Sequence, residues 1–381
     1  MSLCLCGHKP LSPKSFVYLQ MADKIYSYQQ LFNFTKSIFQ KIGCSDAHAD
    51  TATKALLSAD LRGIDSHGIA RLSGYVRLWE VKRVNGIPDI KVIHETPSTA
   101  VVDGDSGLGL VIAPFAMKIA IEKAKQVGTG WVSVQNSNHF GIAAHHAMMA
   151  LEHDMIGMAM TNASPLVAPT FSIDKMLGTN PICVVAPAGI EPPFVADLAT
   201  TTAANGKLEI LQRKNKDTPV GWVQDAEGNS TTDANILKKG GALLPLGGDR
   251  EHGSHKGYAL GAIVDIFSAL LSGANYAPWV PPFPAYVPIP SQQPGKGIGH
   301  FLGAMRIDAF RPADDFKQHM DNWIKGFRNA KPIAGQEKVL VPGDPEREFE
   351  EERMKNGIPL LEMVVEDLNK LAERLSMGGL K

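Results

Sequence analysis

Hydrophobic residues near the start of the described chain recur at helical spacing, at Leu31, Phe34, Ile38 and Ile42. This spacing predicts an amphipathic helix that ends at Gly43. Ser45 then predicts the start of a second helix, over residues 47–59, which Gly63 breaks. The chain is therefore expected to bend after the second helix.

Beyond Trp79 the apolar residues form short runs instead. Residues 91–94, 99–103 and 131–134 are predicted strands, and a helix is predicted over about 113–127. Further short apolar runs within residues 155–200 are bounded by small polar residues, glycine or proline, without long helices between them. This pattern favours a mixed, largely antiparallel sheet over a doubly wound parallel one.

The last third of the chain is predicted to contain a hairpin region, a proline-rich segment, a strand and helices. These predictions cover a hairpin at 218–235, an apolar helix from near 257, a strand from 298, a helix at 314–330 and two helices within 346–377. The segment 278–294 holds seven prolines, which predicts an irregular excursion over the surface or toward a partner.

The composition is that of an ordinary globular protein. The 381 residues are 44% apolar and 20% charged, which is enough for about two domains. Lysine and arginine number 38 against 39 acidic residues, and this balance argues against a general nucleic-acid binder. Uninterrupted apolar runs stay below the roughly 18 residues of a membrane-spanning helix, so no membrane partner is predicted.

The four cysteines, Cys4, Cys6, Cys44 and Cys183, form no regular framework. We therefore expect reduced thiols and a cytoplasmic protein. Cys4, Cys6 and His8 could form half of a metal site, but matching ligands do not follow, and no metal is predicted. Residues 1–21 are interpreted as an extension outside the fold, disordered or not native.

Candidate chemistry is densest in the segment 60–75. If this segment is helical, His67, Arg71 and Tyr75 lie at i, i+4 and i+8 and form one polar stripe. Such a stripe could present an imidazole, a guanidinium and a phenol to a small anion. The alternative is an ordinary helix start that Ser66 caps.

A second candidate is His139, in the loop 136–141 between a predicted strand and a helix. Its neighbours Asn136, Ser137 and Asn138 could orient an imidazole for acid–base chemistry. The alternative is a surface histidine or a helix cap.

Glycines 104, 107 and 109 also lie between a strand and a helix. Their spacing, G-x-x-G-x-G, is the reverse of the dinucleotide-binding fingerprint. We therefore interpret them as a turn and not as a phosphate-binding loop.

Small hydrogen-bonding groups stand at predicted strand ends, at Thr161, Asn162, Ser164, Gly178, Thr179 and Asn180. They would let a ligand approach the backbone closely. Asp197 either holds a charge in an apolar setting or caps a helix. Lys256 precedes the helix predicted from Gly257, where its cation adds to the positive helix end and favours a phosphate or carboxylate.

Seven motifs occur in this order over residues 60–346: DLRGIDSHGIARL, NSNHFG, NASP, GTNPI, ADLAT, GSHKGYAL and VLVPGDPE. Together they resemble the type-2 malate/L-lactate dehydrogenase family. That family also contains ureidoglycolate and sulfolactate dehydrogenases and keto- or imino-acid reductases. The motifs specify the family and not the substrate.

The resemblance implies an oxidoreductase with a nicotinamide-binding fold unrelated to the Rossmann fold. It implies a helix-rich substrate and dimerisation domain built from both chain ends, residues 22–95 and 275–381. Residues 96–274 would form the NAD(P)-binding domain. A homodimer is also implied, with the active site between the domains and near the subunit interface.

By the same resemblance, the active-site positions are Ser66, His67, Arg71, Tyr75 and His139. The cofactor-contacting positions are Ser164, Asp197, Leu198, Ala199 and Lys256, joined by Gly343 and Asp344. Family members often have glutamate at the position of Asp344.

The implied reaction transfers a hydride between NAD or NADP and a small 2-hydroxy acid, foremost malate. Arg71 suits the substrate carboxylate because its planar fork matches two oxygens. A histidine suits the hydroxyl proton because its ordinary pKa is about 6.5. We prefer His139 for this role and assign His67 with Ser66 to orientation or a proton relay, although family members have been interpreted both ways.

Alternative substrates on the same scaffold are a cyclic imino acid, a diketo sugar acid, ureidoglycolate or lactate. From another functional class, the alternative is an inactive binding protein. The sequence determines neither the choice between NAD and NADP nor the identity of the 2-oxo acid, because one pocket side chain can change that identity.

Overall fold

The computed structural model describes residues 24–213 and 215–380. The predicted extension and the Cys4, Cys6 and His8 cluster lie outside the described residues. The helices are α1 Tyr28–Lys41, α2 Asp46–Leu61, α3 Leu72–Glu80, α4 Gly109–Val127, α5 Ala143–Met148, α6 Asn205–Arg213, α7 Ser254–Asp265, α8 Ala313–Arg328, α9 Asp344–Asn356 and α10 Glu362–Arg374.

The strands are β1 Lys24–Tyr26, β2 Lys91–Glu95, β3 Thr99–Asp103, β4 Thr129–Ser137, β5 Met155–Thr161, β6 Ile182–Ala186, β7 Phe194–Leu198, β8 Val223–Gln224, β9 Ser230–Thr231, β10 Ala242–Leu243, β11 Ile298–Arg306 and β12 Ile358–Leu360. The antiparallel pair β8 and β9 confirms the predicted hairpin. Among the described residues, no helix is both long and apolar enough to cross a membrane.

A seven-stranded sheet forms the centre of the molecule, in the order β2-β3-β4-β11-β5-β6-β7. Its strands pair antiparallel except for β3 and β4, which are parallel. The predicted mixed, largely antiparallel sheet is thus confirmed. Helix α4 connects the parallel pair, as a parallel connection requires.

Strand β11 lies between β4 and β5, although residues 275–381 were expected to belong to the helical domain. Its residues 298–304 are buried. A strand buried along its whole length needs a paired strand at each edge and packed side chains on both faces of the sheet. The predicted domain boundary at 275 does not account for this return of the chain into the sheet.

Helices from both chain ends share one hydrophobic core. Leu31, Ile38 and Leu56 from the first two helices pack with Val365 and Leu368 of α10. Both ends therefore contribute residues to one helical layer. A separate small core, around Leu208 of α6, lies under the three-stranded sheet β10-β8-β9.

Helix α4 starts at Gly109, four residues before the predicted start near Ala113. A Cβ atom at Gly109 would lie 2.0 Å from the carbonyl oxygen of Asn138 and 2.6 Å from that of His139. Glycine is therefore required for the first turn of α4 to pack against the loop that carries His139.

Candidate active site

The segment after Gly68 is not one continuous helix. Short 3-10 turns at Asp65–His67 and Ile69–Arg71 precede α3. The buried carboxylate of Asp60 accepts a hydrogen bond from the Ile69 N–H at 2.7 Å, which stabilises the break between the two turns. A Cβ at Gly68 would lie 2.1 Å from Asp60 Oδ1, so a side chain there is excluded.

The broken segment still brings the predicted histidines and tyrosine together. The rings of His67 and His139 stack with centroids 5.7 Å apart. The Tyr75 hydroxyl lies 2.6 Å from His139 Nδ1, and the Ser66 hydroxyl lies 2.9 Å from His67 Nδ1. Each imidazole is therefore oriented by a hydroxyl group, as acid–base catalysis requires.

Within residues 24–213 and 215–380, the hydrogen bonds of His139 involve Nδ1 alone. The Gly141 N–H also donates toward this nitrogen, at 3.3 Å. The half-buried ring consequently has Nε2 available for a ligand.

Arg71 supplies positive charge beside the two imidazoles. Its Nε donates to the Ser66 carbonyl oxygen at 2.6 Å, which fixes one edge of the guanidinium. Its Nη2 lies 3.8 Å from a carboxylate oxygen of Glu209 in α6. The Nη edge is thus the part of the fork that can meet a ligand carboxylate.

Phe283 closes one side of this group. Its ring lies 4.9 Å from that of His139 and 5.3 Å from that of Tyr75. Its N–H donates to the Ser164 hydroxyl at 3.1 Å. The proline-rich segment 278–294 thus packs Phe283 into the site, while residues such as Tyr286 and Ile289 are exposed, as an irregular excursion over the surface predicts.

The surroundings disfavour the charged form of both imidazoles. Burial and the Arg71 charge lower the pKa of His67 to about 4. Burial, His67 and Arg71 lower the pKa of His139 well below its ordinary value. Burial raises the pKa of Tyr75, although Arg71 opposes this. Both rings are therefore neutral near pH 7, which suits proton acceptance.

Asp197 lies in β7 and does not cap a helix of its own. Its carboxylate instead accepts the N–H of Ala144, in the first turn of α5, at 2.9 Å. Burial raises its pKa to about 6, against that hydrogen bond and the nearby Arg62 charge. Because α5 follows the His139 loop, this contact couples β7 to the candidate site.

The other predicted cofactor positions lie on neighbouring elements. Leu198 is exposed at the end of β7 and Ala199 follows it, half-buried. Lys256 is exposed in the first turn of α7, which begins at Ser254 and not near 257 as predicted. The side chain of Asn180 donates to the Gly261 carbonyl oxygen at 2.9 Å, which ties this helix to the strand ends.

Gly343 and Asp344 form the start of α9. A Cβ at Gly343 would lie 3.0 Å from Val195, so this turn packs directly on β7. The Asp344 carboxylate already accepts hydrogen bonds from Arg328 at 2.7 Å and Arg347 at 2.8 Å. Burial opposes these contacts, but together they hold its pKa at about 2.

A family model described as malate/L-lactate dehydrogenase matches residues 26–369. The chain belongs to the malate/L-lactate dehydrogenase family. It is therefore an enzyme, an oxidoreductase, and the family resemblance of the motifs is confirmed.

Its relatives within the malate/L-lactate dehydrogenase family differ in named substrate. The malate dehydrogenase of Pyrococcus horikoshii is 42% identical over 92% of this chain and 95% of its own. The L-sulfolactate dehydrogenase of Methanocaldococcus jannaschii is 36% identical, over 90% and 94%. The crystal structure of Entamoeba histolytica malate dehydrogenase matches with a TM-score of 0.86 at 32% identity, over 93% of this chain and 99% of that one.

Three residues of this family member reach the site without having been predicted: Asp60, Glu209 and Phe283. Asp60 could have been noticed as an acidic residue on the otherwise apolar face of α2. Phe283 carried no signal beyond its place among prolines, and Glu209 none beyond ordinary helical polarity. Their positions depend on how distant segments pack.

Proposed function

We propose that this family member is an NAD(P)-dependent dehydrogenase of small 2-hydroxy acids, with malate and oxaloacetate as its principal pair. The observation that supports this best is the group formed by His67, His139, Tyr75 and Arg71. It combines two oriented neutral imidazoles with one cation in a partly exposed group, which we call the cleft. Names of the relatives favour malate as the substrate.

In this proposal the Nη edge of Arg71 holds the carboxylate next to the reacting carbon. His139 accepts the hydroxyl proton at Nε2 in the tautomer whose Nδ1–H donates to the Tyr75 oxygen, in which the long 3.3 Å contact from the Gly141 N–H is given up. His67, oriented by Ser66, stacks on His139 and positions the substrate or relays the proton. Phe283 keeps water from one side of the group.

The family implies a nicotinamide cofactor, and the residues present fit one. Gly253, the N-cap of α7, contributes no side-chain cap, and exposed Lys256 adds a cation to that positive helix end. Ser164, Asp197, Leu198 and Ala199, with the turn at Gly343 and Asp344, are proposed as further contacts. When bound, the nicotinamide exchanges a hydride with the substrate carbon.

We propose that this cofactor is held without a Rossmann phosphate loop. The glycines that precede α4 support this, because Gly109 packs on the backbone of the His139 loop. The sheet-based unit, residues 96–274 together with strands β2 and β11, is proposed to bind the cofactor. The helical layer from both chain ends, which carries His67, Arg71 and Tyr75, is proposed to bind the substrate.

We also propose a homodimer in the cytoplasm. Helix α7 and the turn after it carry an exposed apolar face, formed by Tyr258, Ile263, Ile266, Phe267, Leu270 and Leu271. An apolar face of this kind supports association with a second copy. The buried free thiols Cys44 and Cys183 support a reducing compartment.

The test measures the reduction of a small panel of 2-oxo and imino acids by NADH and by NADPH. The loss of nucleotide absorbance reports the rate. The panel holds oxaloacetate, pyruvate, 2-oxoglutarate, sulfopyruvate and a cyclic imino acid. We expect the highest kcat/KM with oxaloacetate. A higher kcat/KM with another acid would make that acid, and not oxaloacetate, the principal substrate. No turnover with any member of the panel would reject the proposed function. Calorimetry with both nucleotides would then test the reading as an inactive binding protein.

A further inference from the structure

Glu209 is an acidic side chain that points toward the proposed carboxylate-binding group. It lies in α6, and its carboxylate is 3.8 Å from Nη2 of Arg71. About a third of its side chain, 35%, is exposed, against 28% for Arg71. The pair is thus partly shielded from solvent, where charges interact more strongly than on an open surface.

The position of Glu209 is fixed by packing on both sides of its helix. Leu208 is fully buried in the core of the three-stranded sheet, which anchors α6. A Cβ at Gly206 would lie 2.6 Å from the Ser66 side chain, so only glycine allows this helix to approach the catalytic turn. The Asn205 amide donates to Glu209 at 3.0 Å and holds its other carboxylate oxygen.

The guanidinium of Arg71 therefore already has two partners within the protein. Its Nε is committed to the Ser66 carbonyl oxygen at 2.6 Å, and its Nη2 faces Glu209. A substrate carboxylate at the Nη edge must therefore bind beside a resident negative charge. A second carboxylate on the same small substrate would also lie within about 8 Å of Glu209, the Debye length at physiological ionic strength, so Glu209 repels that charge as well.

We propose that Glu209 is a specificity-determining residue that sets how strongly the enzyme favours dicarboxylates over monocarboxylates. Its negative charge weakens the binding of doubly charged 2-oxo acids more than that of singly charged ones. The residue thereby keeps monocarboxylates such as pyruvate competitive in a site that holds an arginine. This inference rests on the proposed function, in which Arg71 holds the substrate carboxylate.

The test compares Glu209→Gln with the wild type, using oxaloacetate and pyruvate at fixed ionic strength and saturating cofactor. Glutamine keeps the size of the side chain and can still accept from Asn205. We expect KM for oxaloacetate to fall about fivefold and KM for pyruvate to fall about twofold or less. The matched control is Glu227→Gln, which removes a charge from the exposed turn between β8 and β9 and should leave both values unchanged.

A positioning role for Glu209 predicts a different result. If the carboxylate only orients Arg71, its loss should raise KM for both substrates by a similar factor. If KM for oxaloacetate and KM for pyruvate changed by the same factor in Glu209→Gln, in either direction, the inference would be overturned. It would also be overturned if Glu227→Gln lowered the two KM values as Glu209→Gln does.

A binding measurement separates this inference from the proposed function. Succinate and butyrate have similar chains but two and one carboxylates, and neither can be turned over as a 2-oxo acid. Calorimetry should show that Glu209→Gln tightens succinate about fivefold and butyrate about twofold or less. If the wild type reduces none of the 2-oxo acids, the proposed function fails, while the succinate to butyrate ratio still supports or overturns the role of Glu209.

Discussion

His139 and Phe140 are successive residues that face two different regions of the molecule. His139 faces the cleft and stacks on His67, whereas Phe140 packs in the core against His146 and His300, at 4.6 and 4.8 Å. Burial lowers the pKa of all four histidines. A lowered pKa therefore does not by itself distinguish a catalytic histidine from a structural one.

The hydrogen bonds of the histidines distinguish the two regions. His300 is fully buried, and both ring nitrogens are used internally, by the Thr161 hydroxyl at 2.8 Å and the Ser137 hydroxyl at 2.7 Å. His139 is partly exposed, and its hydrogen bonds among the described residues involve one nitrogen. Burial is the leading cause of the pKa shift of both His139 and His300, and the Arg71 charge adds to the shift of His139.

The largest effect should come from the cleft. In His139→Ala, the proton acceptor is lost while Arg71 still binds the carboxylate. We expect kcat to fall about a hundredfold to ten-thousandfold, with a much smaller change in KM. Steady-state oxaloacetate reduction with circular dichroism of the variant measures this.

His67→Ala is the matched variant, because it removes the other ring of the same stack. We expect a smaller fall in kcat, since His67 is assigned to orientation or relay. Turnover close to wild type in His139→Ala, together with a large loss in His67→Ala, would show that the two roles are reversed.

The core histidine should affect stability instead. His300→Ala removes two buried hydrogen bonds and the ring that stacks on Phe140, and leaves a cavity. We expect the free energy of unfolding to fall by about 2–4 kcal/mol, with kcat of the folded enzyme within a few-fold of wild type. Urea unfolding and activity measured on the same samples test both parts.

The control is His153→Ala, the same substitution at an exposed histidine, which should leave the unfolding free energy nearly unchanged. If His300→Ala lowered kcat as far as His139→Ala without loss of stability, the division between cleft and core would be wrong.

The same division explains what could be predicted from the sequence. The spacing of His67, Arg71 and Tyr75 predicted a shared polar stripe, although the segment is broken at Gly68. The residues still converge because α3 directs Tyr75 and the Ser66 hydroxyl orients His67. The residue pattern left an ordinary helix start open, and the family motifs were needed to favour an active-site role.

Residues placed by long-range packing could not be predicted in this way. Phe283 reaches the site from a segment without regular structure, and Glu209 depends on the packing of α6 against Ser66. The central position of β11 depends on pairing with strands far away along the chain. Hydrophobic periodicity predicts whether a segment is a helix or a strand and which of its faces is buried. It does not predict which other elements pack against that face.

The smallest predicted effect is on the pH dependence of the cleft pair. Oxidation of a 2-hydroxy acid needs a neutral imidazole. Because burial and Arg71 lower the pKa of His67 to about 4 and that of His139 well below its ordinary value, kcat/KM should hold from pH 7 down to about 5. An unperturbed histidine, with a pKa near 6.5, would already be mostly charged there.

The Arg71 charge can be separated from burial in the same profiles. The kcat/KM profile reports the free enzyme, whereas kcat reports the complex, in which the substrate carboxylate offsets Arg71. The acid limb of kcat should therefore lie at higher pH than that of kcat/KM, by up to about one unit. In Arg71→Gln the kcat/KM limb should move up toward the position of the wild-type kcat limb, while Arg77→Gln, on α3, should leave the kcat/KM limb in place. A kcat/KM limb that stays in place in Arg71→Gln would mean that burial alone sets these pKa values, which would remove the electrostatic difference between cleft and core.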